Sequence, residues 1–287
     1  MLLLSMFAWL LWPVVGLLAL WLFFQTVRFI PNNRIGIVEK RFSARGSLKS
    51  GLIALHGEAG YQPKVLRGGL HLLVPLQYRV HIVPLITIPQ GKIGYVFARD
   101  GLPLEADQAL ARTTACSNYQ DVTAFLQNGG QRGPQRQILR EGTYAINLAQ
   151  FVVITQDGVF YLPLSRDEEA TFKRMADVIA ERGGFQPVII KGTDDVVGIV
   201  TVHDGPSLPE GQIIAPTVGD NPNKPETYHN VFQDPEAFLK AGGQRGRQLQ
   251  VVVEGTYYIN RLFATVELIP KTVVEVGWVG VVVSYTG

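Results

Sequence analysis

A block of 29 residues occurs twice in this chain, 113 positions apart. The first copy runs from Tyr119 to Asn147 (YQDVTAFLQNGGQRGPQRQILREGTYAIN) and the second from Phe232 to Asn260 (FQDPEAFLKAGGQRGRQLQVVVEGTYYIN); they agree at 18 of 29 positions without a gap. Such a repeat means that one supersecondary unit has been used more than once, which constrains the chain to an architecture of copies. Asp121 and Asp234 have the form of helix N-caps ahead of an Ala-Phe-Leu segment, and Pro235 suits the first helical position. The shared Gly-Gly-Gln-Arg-Gly then predicts a helix stop and a turn into a strand.

A looser periodicity surrounds the block. Four β-branched or aromatic-rich runs carry an apolar residue before a glycine: Ile35-Gly36, Ile93-Gly94, Val197-Gly198 and Val279-Gly280. Three of them close with Asp100-Gly101, Asp204-Gly205 or Thr286-Gly287. A glycine inside a strand marks a bulge or a close backbone approach. The chain stops just after the fourth run has opened a new unit, so a truncated reading is expected. One longer helix is predicted from Ser165, with Ser165 and Glu168 as a capping box, Phe172, Met175, Ala176 and Ile179 on one face, and Gly183-Gly184 at its end. The Pro-, Gly- and Asn-rich stretch from Asp204 to Pro225 predicts a long surface loop.

The amino terminus reads differently. From Met1 to Phe24 there is no charged side chain, and twenty-four residues at 1.5 Å each give roughly 36 Å, more than a hydrocarbon core of about 30 Å. The run is too long for a signal-peptide core and lacks a basic leader, so a retained transmembrane helix is expected, with Pro13 a point of kinking. Arg28, Arg34, Lys40, Arg41, Arg45 and Lys49 follow, opposed by Glu39 alone. That cluster predicts a cytoplasmic body and contact with anionic headgroups of the lipid bilayer. The overall charge of +2 and the lack of a basic–aromatic stripe give no support for nucleic acid binding.

Little in the sequence carries catalytic chemistry. The single cysteine, Cys116, excludes an internal disulfide and reads as a small buried residue. His71 and His81 flank a hairpin-like segment without a third ligand, so no metal site is expected. There is no nucleophile elbow and no phosphate-binding loop. Asp194-Asp195 point to opposite faces of a strand and suit a turn instead. Arg132 and Arg245, in the Gly-rich turns, are the candidate residues for holding an anion; the alternative is an ion pair with Glu141 and Glu254 of the same copy.

The elements Gly36-Ile37-Val38, Gly69-Leu70-His71 with Pro75, and Arg99-Asp100-Gly101, following an apolar anchor, resemble the SPFH or band 7 superfamily of stomatins, prohibitins, flotillins and HflK/C. The match covers about 70 residues, and the repeated blocks resemble its larger flotillin-like bacterial members. The resemblance implies an α+β fold: an N-terminal transmembrane helix followed by β-rich SPFH/band 7-like units with short packed helices. It further implies a single-pass, non-enzymatic scaffold without cofactor. Such a scaffold assembles as a homo-oligomer, organises membrane microdomains, and acts on membrane proteases or other integral membrane proteins. The long coiled coil that drives assembly in that family is missing. An adaptor whose repeats present a lipid- or protein-binding surface is the alternative. The expected divisions are an anchor over 1–27, a band 7-like unit over 28–105, repeat-containing units over 106–205 and 226–287, and a linker over 206–225.

Overall fold

In the computed structural model, the strands pair in three successive sets that share one pattern. It describes residues 2–165 and 167–283, with backbone alone for residues 2–11 and for Gln25. In the first set β1 (Val27–Ile30) pairs with β4 (Gly69–Leu72), while β2 (Arg34–Lys40) lies between β3 (Gly60–Leu66) and β5 (Tyr78–Pro84). In the second, β6 (Ile86–Ile88) pairs with β9 (Gly142–Tyr144), and β7 (Tyr95–Ala98) lies between β8 (Gly133–Pro134) and β10 (Phe151–Thr155), with β11 (Gly158–Phe160) added at the edge. In the third, β12 (Val188–Ile190) pairs with β15 (Gly255–Tyr257), and β13 (Val196–Val202) lies between β14 (Gly246–Arg247) and β16 (Ala264–Pro270). The named strand pairs are all antiparallel.

The same residues build each unit. The strand glycines Gly36, Gly94 and Gly198 face Ile30, Ile88 and Ile190, and a Cβ on Gly36 would stand 2.6 Å from Ile30 Cδ1. Glycine is needed because a Cβ would collide with Ile30 at Gly36, with Ile88 at Gly94 and with Val266 at Gly198, the close approach that the apolar-Gly periodicity predicts. Three buried alanines cross over to the following strand in identical fashion: Ala54 N–H to Tyr61, Ala111 N–H to Pro134 and Ala215 N–H to Arg247, each 2.8 Å from the carbonyl oxygen. The serial construction is thus threefold, wider than the 29-residue duplication.

Units two and three each add a helix that unit one lacks. These are α2 (Val122–Gln127) and α4 (Pro235–Lys240), capped as expected by Asp121 on Ala124 N–H at 2.9 Å and by Asp234 on Ala237 N–H at 3.0 Å. The Gly-Gly-Gln-Arg-Gly turns follow. Gly129 and Gly242 take positive φ (74° and 87°), while Gly130 and Gly243 lie against the rings of Phe125 and Phe238. Between units two and three, α3 (Glu168–Glu181) lays Phe172 and Ile179 over Tyr95, Val152 and Ile154. It ends at Gly183, whose φ is 61°.

Several expectations are corrected. The helix α1 (Leu2–Thr26) carries the apolar run, yet among the described residues no helix is long and apolar enough to cross a membrane. The single-pass topology, with a cytoplasmic body beyond it, is therefore withdrawn. The α+β fold led by a transmembrane helix gives way to a β-rich fold with four helices among the described residues. The capping box on α3 does not form. Asp167 precedes the helix in helical conformation without a side-chain cap, and Glu168 instead receives Arg99 at 3.0 Å. Arg99 is buried between Tyr161 and Phe172 and draws that carboxylate to itself. The stretch from Asp204 to Pro225 is more than a surface loop, because Asp204 and Ala215 within it are wholly buried.

Candidate functional site

The most organised polar chemistry lies where one unit meets the next. Asn147, in the second unit, is wholly buried and donates its side-chain amide to the carbonyls of Gln62 (2.9 Å) and Pro63 (3.2 Å) in the first. Asn260, in the third unit, does the same to Gln135 (3.1 Å) and Arg136 (2.8 Å) in the second. Each asparagine also fixes its own turn: Asn147 Oδ1 accepts from Ala149 N–H, and Asn260 Oδ1 from Leu262 N–H. Both asparagines end the duplicated block, and their two acceptors occupy matching places in the preceding units.

An aspartate makes the second half of each junction. Asp100 accepts from the Leu52 and Ile53 amides of the first unit at 2.6 and 3.4 Å. Asp204 accepts from the Ala109 and Leu110 amides of the second at 2.7 and 3.4 Å. These are the aspartates of the Asp-Gly pairs that close the strand runs. Two backbone donors on a carboxylate form a charge-assisted pair, stronger than a neutral bond. Buried apolar side chains fill the space around these bonds. Ile53 packs with Tyr119, Phe125 and Phe151 at the first junction, and Leu110 with Phe232, Phe238 and Phe263 at the second.

The second junction is more charged than the first. Arg136 places Nε 2.7 Å from Asp204 and Nη1 3.0 Å from Glu236. Burial draws the Arg136 pKa down, but the two carboxylates outweigh it and leave it above its ordinary value. The first unit has Pro63 at the matching place, so Asp100 there has no such arginine. A cleft of about 450 Å³ opens beside this network, lined by Arg136, Arg140, Tyr228, Gln233 and Tyr258. Within it the Arg140 guanidinium lies 3.2 Å from the centre of the Tyr258 ring. Nearby, Tyr95 donates to the Gly184 carbonyl and accepts from Arg261 N–H, and burial pushes its pKa up to about 12.

The residues singled out by sequence are dispersed. Arg245 donates to the Gly205 carbonyl at 2.8 Å and reaches the Asp107 carbonyl, so it braces the second junction through backbone oxygen instead of Glu254. Arg132 is exposed and borders a recess formed by Phe97, Pro103 and Leu104. Glu141 pairs with Arg140 at 3.5 Å. Of the basic cluster, Arg28 lies in β1 and Arg34 in β2, and Lys40 holds Ser43 and the Gly57 carbonyl. Arg45 binds the His56 carbonyl, and Arg41 and Lys49 are exposed. His71 meets the Arg67 carbonyl and His81 meets Glu39, so the two histidines do not converge. Cys116 is buried, as expected, and burial raises its thiol pKa. Among the described residues no group of three or more His, Cys, Asp or Glu is placed to hold a metal.

The junction asparagines and aspartates were not recognised as a site by sequence reasoning. The available signal was their retention at equivalent places in successive copies. In comparison with known proteins, no family model, no curated protein and no solved structure matches this chain. The band 7 likeness therefore rests on the short elements around Gly36, Gly69 and Asp100 alone.

Proposed function

We propose that this chain is a non-enzymatic scaffold: a serial array of β units that assembles with further copies of itself and presents its surface to other proteins. The observation that carries the reading is the junction built twice from Asn147 with Asp100 and from Asn260 with Asp204. In repeat architectures, stability comes from each unit and its contact with the next, which yields extended, rigid binding surfaces. These buried polar groups hold one unit to the next.

The first unit supplies a surface suited to assembly. Phe29, Leu70, Leu72, Val74 and Leu76 are exposed, Leu70 and Leu72 by 72% and 76%. Phe29 and Leu70 are cross-strand partners, so with Leu72 they share one face of the β1–β4 ribbon, and exposed apolar side chains grouped in this way mark a protein contact. The test is sedimentation velocity of the full chain beside Leu70→Glu/Leu72→Glu. Discrete species larger than a monomer, reduced to monomer by the double substitution, support the assembly. A wild-type chain that stays monomeric at tens of micromolar contradicts it.

A further inference from the structure

The two covered junctions show what the third unit's far face lacks. In the first unit, the Leu52 and Ile53 amides and the Gln62 and Pro63 carbonyls receive the aspartate and asparagine of the second. In the second unit, the Ala109 and Leu110 amides and the Gln135 and Arg136 carbonyls receive those of the third. The matching groups of the third unit are the Ile213 and Ile214 amides and the Gln248 and Leu249 carbonyls. Ala215 N–H on Arg247 and Leu249 N–H on Ala215 hold them in the same crossing geometry as Ala111 N–H on Pro134 and Arg136 N–H on Ala111. Among the described residues none of these four groups has a hydrogen-bond partner.

Apolar surface accompanies the open polar groups. Leu249 is 62% exposed, whereas its counterpart Arg136 is buried at the second junction, and Ile214 is half-buried where its counterpart Leu110 is buried under the third unit. The chain also begins the opening pattern a fourth time. Gly280 faces Val274 as Gly36 faces Ile30, Gly94 faces Ile88 and Gly198 faces Ile190.

We propose that this face docks a further unit of the same construction. That unit brings a side-chain acceptor to the Ile213 and Ile214 amides and an asparagine amide to the Gln248 and Leu249 carbonyls. A second copy of this chain does not fit the same role. Its first unit carries Phe42 and Val74 where the later units carry the aspartate and asparagine, and neither side chain can make the bonds. Its Asp100, Asn147, Asp204 and Asn260 are already engaged. The proposal rests on the junction geometry and not on self-assembly, so either can fail alone.

The test is a chain in which residues 199–270 are repeated directly after Gly280, restoring a whole unit in register. Hydrogen exchange at the Ile213 and Ile214 amides should slow by about tenfold or more relative to the parent. Asp204→Ala in the appended copy alone should return both amides to the parent rate. Unchanged exchange at both amides beside a folded appended unit would overturn the proposal. An appended copy that stays unfolded also counts against it, because the same sequence folds against the matching face of the second unit. A parent chain whose dimer is dissolved by Leu249→Glu would assign the face to self-association, and would equally overturn it.

Discussion

Asn260 donates its side-chain amide to the Arg136 carbonyl at 2.8 Å, crossing from the third unit to the second within a wholly covered interface. Asn147 reaches Pro63 in the same way one unit earlier. Both bonds end on backbone, so the acceptor persists whatever side chain stands there, and Pro63 and Arg136 serve equally. Removing either amide leaves two carbonyls without that donor, buried ones for Asn260 and partly buried ones for Asn147, at about 1–3 kcal/mol each. Asn260→Ala and Asn147→Ala are each expected to lower stability in urea by about 2–4 kcal/mol, given partial relaxation. The double variant should be additive within about 0.5 kcal/mol, because the junctions share no partner. Single losses below 0.5 kcal/mol would show that the bonds do not hold the units.

The Arg136–Asp204–Glu236 network gives a second, asymmetric expectation. Asp204 is wholly buried and keeps two backbone donors when Arg136 is lost, whereas Arg136 keeps only the partly exposed Glu236 when Asp204 is lost. Breaking a buried pair from one side costs about 3–5 kcal/mol. Asp204→Ala should therefore destabilise more than Arg136→Met, by chemical denaturation. The reverse order would mean that the arginine, and not the carboxylate, organises this junction.

The turns predict a contrast between chemically similar changes. A Cβ on Gly130 would stand 2.6 Å from Phe125 Cε1, in a ring held against Tyr119 and Phe151. Gly130→Ala is expected to cost about 1–3 kcal/mol, as overpacking does. Gly16→Ala, which meets nothing within 4 Å, should stay within about 0.5 kcal/mol. Thermal denaturation of both variants checks the pair.

His229 sets an acid limit. Its Nδ1 accepts from Phe232 N–H at 2.8 Å and its Nε2–H donates to the Val218 carbonyl at 2.7 Å, an arrangement that requires the neutral ring. Burial lowers its pKa below the ordinary 6.5, and burial with the Arg182 charge lowers that of His203. The unfolded chain then binds more protons than the folded one, so stability rises with pH. The contribution is complete above about pH 6.5 and is lost as pH falls below it towards the folded-state values. The urea midpoint should fall from pH 7 to pH 5, and His229→Gln should flatten that slope. An unchanged slope in the variant would remove His229 from the account.

Arg132 and Arg245 look equivalent in sequence, but the structure separates them. Arg245 bonds two backbone oxygens from outside its own turn, and Arg132 is exposed at the rim of a recess. Arg245→Ala is expected to cost about 0.5–1.5 kcal/mol, and Arg132→Ala less than about 0.5 kcal/mol, by urea denaturation. Equal effects would contradict the difference in bonding.

Local chemistry was legible in the sequence where it is local in space. The N-caps Asp121 and Asp234, the positive-φ Gly129 and Gly242, the end of α3 at Gly183 and the buried Cys116 follow from neighbouring residues. Even the third unit's kinship with the first was visible in Gly36 and Gly198. The junctions were not legible, because Asn147 and Gln62 are 85 residues apart and an Ile-Asn pair carries no marker of what it will meet. The capping box failed for the same reason: Arg99, far away in sequence, claimed Glu168. The membrane span expected from hydropathy does not carry over either, since among the described residues no helix is long and apolar enough to cross a membrane.

Native-state hydrogen exchange of Asn260→Ala tests the serial account most directly. If units are held pairwise, amides of residues 188–270 should lose protection together, while those of residues 27–84 keep the wild-type rates. Equal loss across all three units, or none in any, would contradict it.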